Sequence, residues 1–232
     1  MGAVRVESGD RVTRPLRADA ARNRERILRA AAAVFAQRGL GATLDDVAAA
    51  ADVGVATVYR RFPDKEALVM ALFESAIDEI AALAVTARGF ENSWDALVWF
   101  LEQVLQRQCS DRGLRDVVVG TPYDRDWVSA AKQRLGVAVG ALLERAQRDG
   151  YLRRDVVVAD VAVLEMMIST LGSAAASVAP DLWRRYLALV LDGLAAPGSR
   201  PLPAVPADEV VFAALRTSSG AHPRTHVTPR DP

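Results

Sequence analysis

Cysteine and histidine are almost missing from this 232-residue sequence: Cys109 is the one thiol, and the two histidines, His222 and His226, stand close to its end. One thiol excludes a disulfide framework and a thiolate zinc site. Histidines outside any periodic segment leave no Ser-His-Asp, Cys-His or His-metal constellation for a folded body, so neither a cofactor nor a metal is expected. Long apolar runs are missing as well. None approaches the ~20 residues of a membrane span, and the first residues carry no hydrophobic signal region. Net charge is absent, because 29 basic and 29 acidic side chains cancel, which argues against an indiscriminate polyanion binder. Lysine occurs only as Lys65 and Lys132 against 27 arginines, a ratio that carries no mechanism. What remains is 51% apolar, enough for a core and too much for a mainly disordered chain, with 42 alanines that favour helix. The expectation is a reduced, cytoplasmic, all-α protein.

Residues 1–18 are Arg-rich and aperiodic and contain Pro15, which reads as a basic flexible arm. From Asp19 a helical pattern places Ile27, Ala31, Val34 and Phe35 on one face until Gly39 and Gly41 stop it. Thr43-Leu44-Asp45-Asp46 then reads as a helix cap, a variant of the capping box. A second helix carries Leu44, Val47, Ala48 and Ala51, and Asp52-Val53-Gly54 breaks it. A third presents Val58 and Phe62 and ends at Pro63. Longer helices follow: from an Asp64 cap to about Ala87, over 93–109, up to Gly150, from Asp155 to Val178, and after Pro180-Asp181. Leu114 to Val119 is assigned to a short helix, although its three valines would suit a strand. From Pro197 onward seven of the eleven prolines accumulate, as in a flexible tail with a helical turn or two at 208–215. The resulting division is 1–18 arm, 19–65 helix-turn-helix domain, 66–196 helical domain and 197–232 tail.

The three front helices fit a helix-turn-helix. Val47, Ala48, Val58 and Phe62 can pack on Ile27, Ala31 and Phe35, which leaves Val55, Ala56, Thr57, Tyr59, Arg60 and Arg61 near the surface. A helix of that size enters the major groove, where all four base pairs differ. Thr43, at the second helix's N-terminus, together with Tyr59, Arg61 and Lys65, can meet phosphates. Residues 1–38 carry nine arginines against four acids, a net of +5, whereas 39–65 carry three basic and four acidic groups, a net of −1. Backbone contacts are therefore expected from the arm and first helix as well.

The run from Thr43 through Val53-Gly54-Val55-Ala56-Thr57-Val58-Tyr59-Arg60-Arg61-Phe62-Pro63 to Lys65 and Leu68 resembles the N-terminal signature of TetR-family transcriptional regulators. So does Arg26-Ile27-Leu28-x-Ala30-Ala31 through Phe35 to Gly39, and the likeness covers roughly residues 20–80. Within the family it is most similar to the group whose recognition turn reads Val-Gly-Val-x-Thr-x-Tyr-Arg-x-Phe-Pro. The resemblance implies a homodimeric repressor on a near-palindromic operator of double-stranded DNA, released by a small molecule bound in the C-terminal domain. It implies base contacts from Val55, Ala56, Thr57 and Arg60 and phosphate contacts from Thr43, Tyr59 and Lys65. Gly54, Val55 and Arg61 depart from the family's frequent Ser, Arg or Lys, and His. Apolar contacts with thymine methyls and a larger share for Arg60 are expected to compensate.

Phe73, Trp99, Phe100, Gln103, Cys109, Trp127, Met166 and Met167 are candidates for a ligand pocket, although each alone is more often ordinary core. Asp45 and Asp46 fit a helix cap better than acid–base chemistry. The resemblance places a four-helix dimer interface on 155–178 and 181–195, with Met167, Leu171, Ala175, Trp183, Leu187, Val190 and Leu191 as candidates. Two rival readings stand: an enzyme using carboxylates such as Asp124 and Asp126, and a protein-interaction module with a vestigial helix-turn-helix. The first lacks any histidine-containing constellation, so the chain is not expected to be an enzyme, and no membrane partner is expected.

Overall fold

The computed structural model describes residues 13–38, 41–110, 126–197, 200–204, 206 and 210–211. Expectations for residues 1–12, the segment Leu114–Val119, Asp124, both histidines and most of the tail lie outside the described residues. Within them the fold is all-α: eight helices, no strand, and one isolated bridge between Leu152 and Ala195. The chain divides into two compact units, Met1–Leu72 and Phe73–Pro232.

The first unit is built on α1 (Thr13–Arg38), which begins six residues before the Asp19 expected from periodicity. Pro15 does not prevent this. In a first helical turn the amide that proline lacks would have no intrahelical partner. Ile27, Leu28, Ala31, Val34 and Phe35 recur at helical spacing and are all buried. Two short helices, α2 (Leu44–Ala50) and α3 (Val55–Arg61), pack in sequence, α2 against α1 and α3 against α2. Val47, Ala48, Val58, Phe62 and Leu68 complete a dry core, each of the larger side chains stabilising it by about 1.5–3 kcal/mol. Next comes α4 (Lys65–Ala87), capped by the Asp64 carboxylate, which accepts from the Ala67 N–H at 2.7 Å.

In the second unit α5 (Ser93–Ser110) is central, contacting α6 (Asp126–Arg148), α7 (Val158–Ala175) and α8 (Leu182–Leu194). The Asn92 side chain caps α5 by accepting from Trp94 and Asp95. Ala96, Leu97, Phe100, Leu101, Val104 and Leu105 form its inward stripe. Gly150 ends α6 at φ +81°: the Tyr151 N–H reaches the Ala146 carbonyl and the Gly150 N–H that of Gln147, a Schellman arrangement. Arg145 ties α6 to the α4–α5 turn by donating to the carbonyls of Arg88, Phe90 and Glu91.

By composition alone α7 is long and apolar enough to cross a membrane. One side of it is buried against the other helices through Ala159, Val161, Ile168, Gly172 and Ala175. Gly172 allows its closest approach. A Cβ there would lie 2.3 Å from the Cys109 sulfur and 3.2 Å from the Trp183 Cβ.

Candidate nucleic-acid interface

The turn between α2 and α3 sets which side of α3 faces outward. Ala51 ends α2 in the right-handed region, and Asp52 then adopts φ +50°, a conformation that aspartate tolerates better than most residues. The Val53 N–H closes the turn on the Ala48 carbonyl at 3.1 Å. Gly54, the N-cap of α3, is extended at φ −63°, ψ 136°, so the left-handed step falls on Asp52 and not on the glycine.

With Val58 and Phe62 fixed in the core, about 3.6 residues per turn place the side opposite Val58 between Ala56 and Arg60. Ala56, Arg60 and Arg61 are exposed, Thr57 is half-buried, and Val55 and Tyr59 are 44% and 46% exposed. Exposing a valine and a tyrosine ring on a seven-residue helix leaves an apolar surface that α3 does not cover itself. Of the four residues expected at base edges, Ala56 and Arg60 point outward, Val55 is exposed nearer the Val58 side, and Thr57 is half-buried at the other edge, with Tyr59 falling between Val55 and Ala56.

At the other end of the motif, Thr43 and Asp46 form a complete capping box. The Asp46 N–H donates to the Thr43 hydroxyl at 3.2 Å, and the Thr43 N–H donates to the Asp46 carboxylate at 2.9 Å. The Thr43 hydroxyl proton also goes to that carboxylate, at 2.8 Å, and Arg38 pairs with its other oxygen at 2.7 Å. The Thr43 amide first, then its hydroxyl and Arg38, hold the Asp46 carboxyl below the usual carboxylate range. The α2 N-terminus is thus occupied by an acid, and a phosphate at Thr43 has to compete with Asp46. Sequence reasoning found the cap but missed Arg38, since no local spacing rule links residues eight apart on different helices. Lys65, the first residue of α4, is half-buried with its ammonium 5.9 Å from the centre of the Phe35 ring. Asp45 and Asp46 act as cap residues, consistent with the reading that preferred a cap to acid–base work.

The pocket candidates are spread through the second unit. Phe73 and Phe100 are fully buried, and Lys132 sits 5.6 Å above the Phe73 ring. Trp99 packs on Phe90 with ring centres 5.4 Å apart. Gln103 and Met166 are half-buried, Met167 is exposed, and Cys109 is buried against Gly172. The side chain of Trp127 lies outside the described residues. A cavity between α5, α7 and α8 and a cleft beside the end of α6 are lined by none of these eight. The interface candidates divide as well. Ala175, Trp183 and Leu187 are buried in the chain's own core, because α8 turns its Trp183, Leu187 and Leu194 side inward. Leu171, Val190 and Leu191 are half-buried, and Met167 is 59% exposed. Leu189 and Tyr186, outside that candidate set, are exposed apolar side chains on α8, at 56% and 42%.

Comparison with known proteins agrees with this architecture. Residues 27–72 match the family model of bacterial regulatory proteins of the tetR family, and residues 92–196 match that of the C-terminal domain of SbtR-like transcriptional regulators. Among solved structures, the chain is similar to the TetR transcription regulatory protein from Mycobacterium vanbaalenii. Their identity is 37%, over 78% of this chain and 100% of that one, with a TM-score of 0.57. A TetR transcriptional regulator from Streptomyces coelicolor is 29% identical over 75% and 99%, with a TM-score of 0.58. The transcriptional regulator FadR from Bacillus subtilis, in complex with stearoyl-CoA, is 16% identical over 73% and 98% (TM-score 0.61), a likeness of fold alone. No curated protein matches the sequence.

Proposed function

Because the chain belongs to the TetR family of transcriptional regulators, we propose that it is a homodimeric repressor that reads a near-palindromic operator and is released by a small ligand held within residues 66–196. The observation that carries the DNA reading is the outward surface of α3, where Ala56 and Arg60 lie opposite the buried Val58. Arg60 donates its fork to a guanine edge, and Val55, Ala56 and the Thr57 methyl meet thymine methyls. Tyr59, Arg61 and Lys65 hold the backbone, with Thr43 and Arg38 at the α2 cap. With the acid at that cap, Thr43 is the weaker phosphate contact of the set. Its partner being DNA, the protein acts in the cytoplasm and performs no catalysis.

Dimerisation is assigned to the exposed sides of α7 and α8, through Met167, Tyr186 and Leu189 beside the half-buried Leu171, Val190 and Leu191. Two recognition helices about 34–36 Å apart then meet successive major-groove faces. An effector that binds the two spacings unequally lowers operator affinity by its coupling free energy, about 1–3 kcal/mol.

Gel-shift titration on an operator selected from random DNA tests the reading. With Arg61 and Lys65 from both protomers on phosphates, the logarithm of affinity is expected to fall with that of salt with a slope of about −4 or steeper. Arg60→Ala is expected to cost about 1–3 kcal/mol and to relax the preference at one position. Equal affinity for random DNA, unchanged in Arg60→Ala, refutes the repressor and favours the vestigial module. Sedimentation of Leu189→Arg is expected to show monomer, and a persistent dimer moves the interface off α8.

A further inference from the structure

The end of α6, the turn into α7 and the segment after α8 enclose an open cleft of about 560 Å³, remote in sequence from the DNA-reading helices. Its floor is fixed by a network. Leu152 bridges to Ala195, the Ala196 N–H donates to the Tyr151 carbonyl, and the Leu202 N–H donates to the Asp155 carboxylate. Arg153 joins the two sides, donating through Nε and Nη2 to Asp155 at 2.6 and 2.9 Å and onward to the carbonyls of Gly193 and Arg200. Only 11% of its side chain is exposed. Gln147 closes the turn by donating to the carbonyls of Arg153 and Val156.

This network uses one positive and one negative charge of the lining. The charged residues that remain are Arg148, Arg154 and Arg200. Glu144 approaches Arg148 only to 3.9 Å, with both side chains well exposed, so that pair contributes little. Neither Arg154 nor Arg200 has an ion-pair partner among the described residues. Three exposed guanidinium groups thus line one cleft, and among the described residues the one carboxylate that pairs with any of them is Glu144, 3.9 Å from Arg148. Guanidinium forks match the paired oxygens of phosphate and carboxylate, and the volume suits a small organic ligand rather than a bare ion.

We propose that this cleft binds a small organic oxyanion through Arg148, Arg154 and Arg200, on a floor fixed by the Arg153–Asp155 pair. The claim does not depend on operator binding, since every lining residue lies between Gln147 and Pro201. Calorimetric titration of the full chain at low ionic strength with pyrophosphate and with citrate tests it, one probe for each oxyanion chemistry. At least one is expected to bind with one site per chain and to lose about tenfold in affinity in Arg154→Gln/Arg200→Gln. Arg134→Gln, which alters another exposed α6 arginine outside the cleft, is expected to change nothing. Binding of pyrophosphate alone assigns a phosphate ligand, of citrate alone a carboxylate ligand, and of both an oxyanion site that does not discriminate. Absence of binding by either, an unchanged double variant, or an equal loss in Arg134→Gln overturns the proposal.

Discussion

Gly172 and Cys109 are the sharpest steric pair in the second unit, and a double-mutant cycle reads their coupling directly. In Gly172→Ala the new Cβ meets the Cys109 sulfur at 2.3 Å, more than an ångström inside a normal contact of about 3.5–4.0 Å. The sulfur belongs to a short side chain, buried at 8% exposure, so it cannot swing far. Overpacking of this kind costs about 1–3 kcal/mol, and so severe an overlap belongs near the top of that range. Replacing glycine inside a helix returns about 1 kcal/mol through propensity. The expected net loss is therefore about 2 kcal/mol.

In a Cys109→Ala background the sulfur is gone, and the remaining contacts, 3.2 Å to the Trp183 Cβ and 3.3 Å to the residue 109 Cβ, ask for shifts of only a few tenths of an ångström. Gly172→Ala is then expected to be neutral within about 0.5 kcal/mol, which makes the coupling about 2 kcal/mol. Urea unfolding followed by tryptophan emission suits the measurement, because Trp94, Trp99, Trp127 and Trp183 all lie in the second unit. The signal reports that unit and not the helix-turn-helix. Equal destabilisation by Gly172→Ala in both backgrounds refutes the reasoning, since the penalty would then not come from the sulfur.

Four further outcomes follow from the same structure. Gly150→Ala, forced to φ +81° at the end of α6, is expected to cost about 1–2 kcal/mol in the tryptophan-monitored transition. Arg145→Met leaves the Arg88, Phe90 and Glu91 carbonyls without their shared donor and is expected to cost about 1–3 kcal/mol by the same assay. Thr43→Ala removes the α2 cap for about 1 kcal/mol, measured by circular dichroism because the first unit has no tryptophan, and Thr43→Ser is expected to restore it. Glu165 sits on the apolar cavity between α5, α7 and α8, where burial pushes its carboxyl from 4.5 to about 8. Its folded pKa is raised, so between those two pH values the unfolded chain binds fewer protons than the folded one, and stability falls as pH rises. Glu165→Gln is expected to flatten that slope, and an unchanged pH profile of the unfolding midpoint would refute the assignment.

Most of the fold was legible because its signals are local. Helical spacing of Ile27, Ala31 and Phe35, the Thr43 and Asp64 caps and Gly150 each act within a few residues, and each does its expected work. The failures share a cause. The aperiodic, Arg-rich segment with Pro15 reads as an arm, yet α1 already starts at Thr13, because a proline in a first turn costs nothing in hydrogen bonds. Asp52-Val53-Gly54 breaks α2 as expected, but the spacing does not say which of the three turns the chain: Asp52 takes the left-handed step, and a Cβ on Gly54 would meet only the Thr57 hydroxyl, at 3.9 Å.

The faces of α8 were harder still. From spacing, Leu182, Tyr186, Leu187, Val190, Leu191 and Leu194 share one apolar side, while the family resemblance gives Trp183 to a partner. A helix with so many large apolar residues has two apolar faces, and periodicity alone does not say which one a neighbour covers. Contact with α5 and α7 decides it by taking Trp183 and Leu187 inward, and Arg184 then ties α8 to the Gln106 side chain of α5 at 2.7 Å. The same limit explains the cap at α2 and the arginine cleft. Both depend on residues distant in sequence, Arg38 with Asp46 and Arg153 with Gly193 and Arg200, whose meeting is a tertiary fact. The zero net charge of the whole chain conceals them both. At the N-terminus of α2 an acid already occupies the helix end, while three exposed arginines gather some ninety residues or more further along.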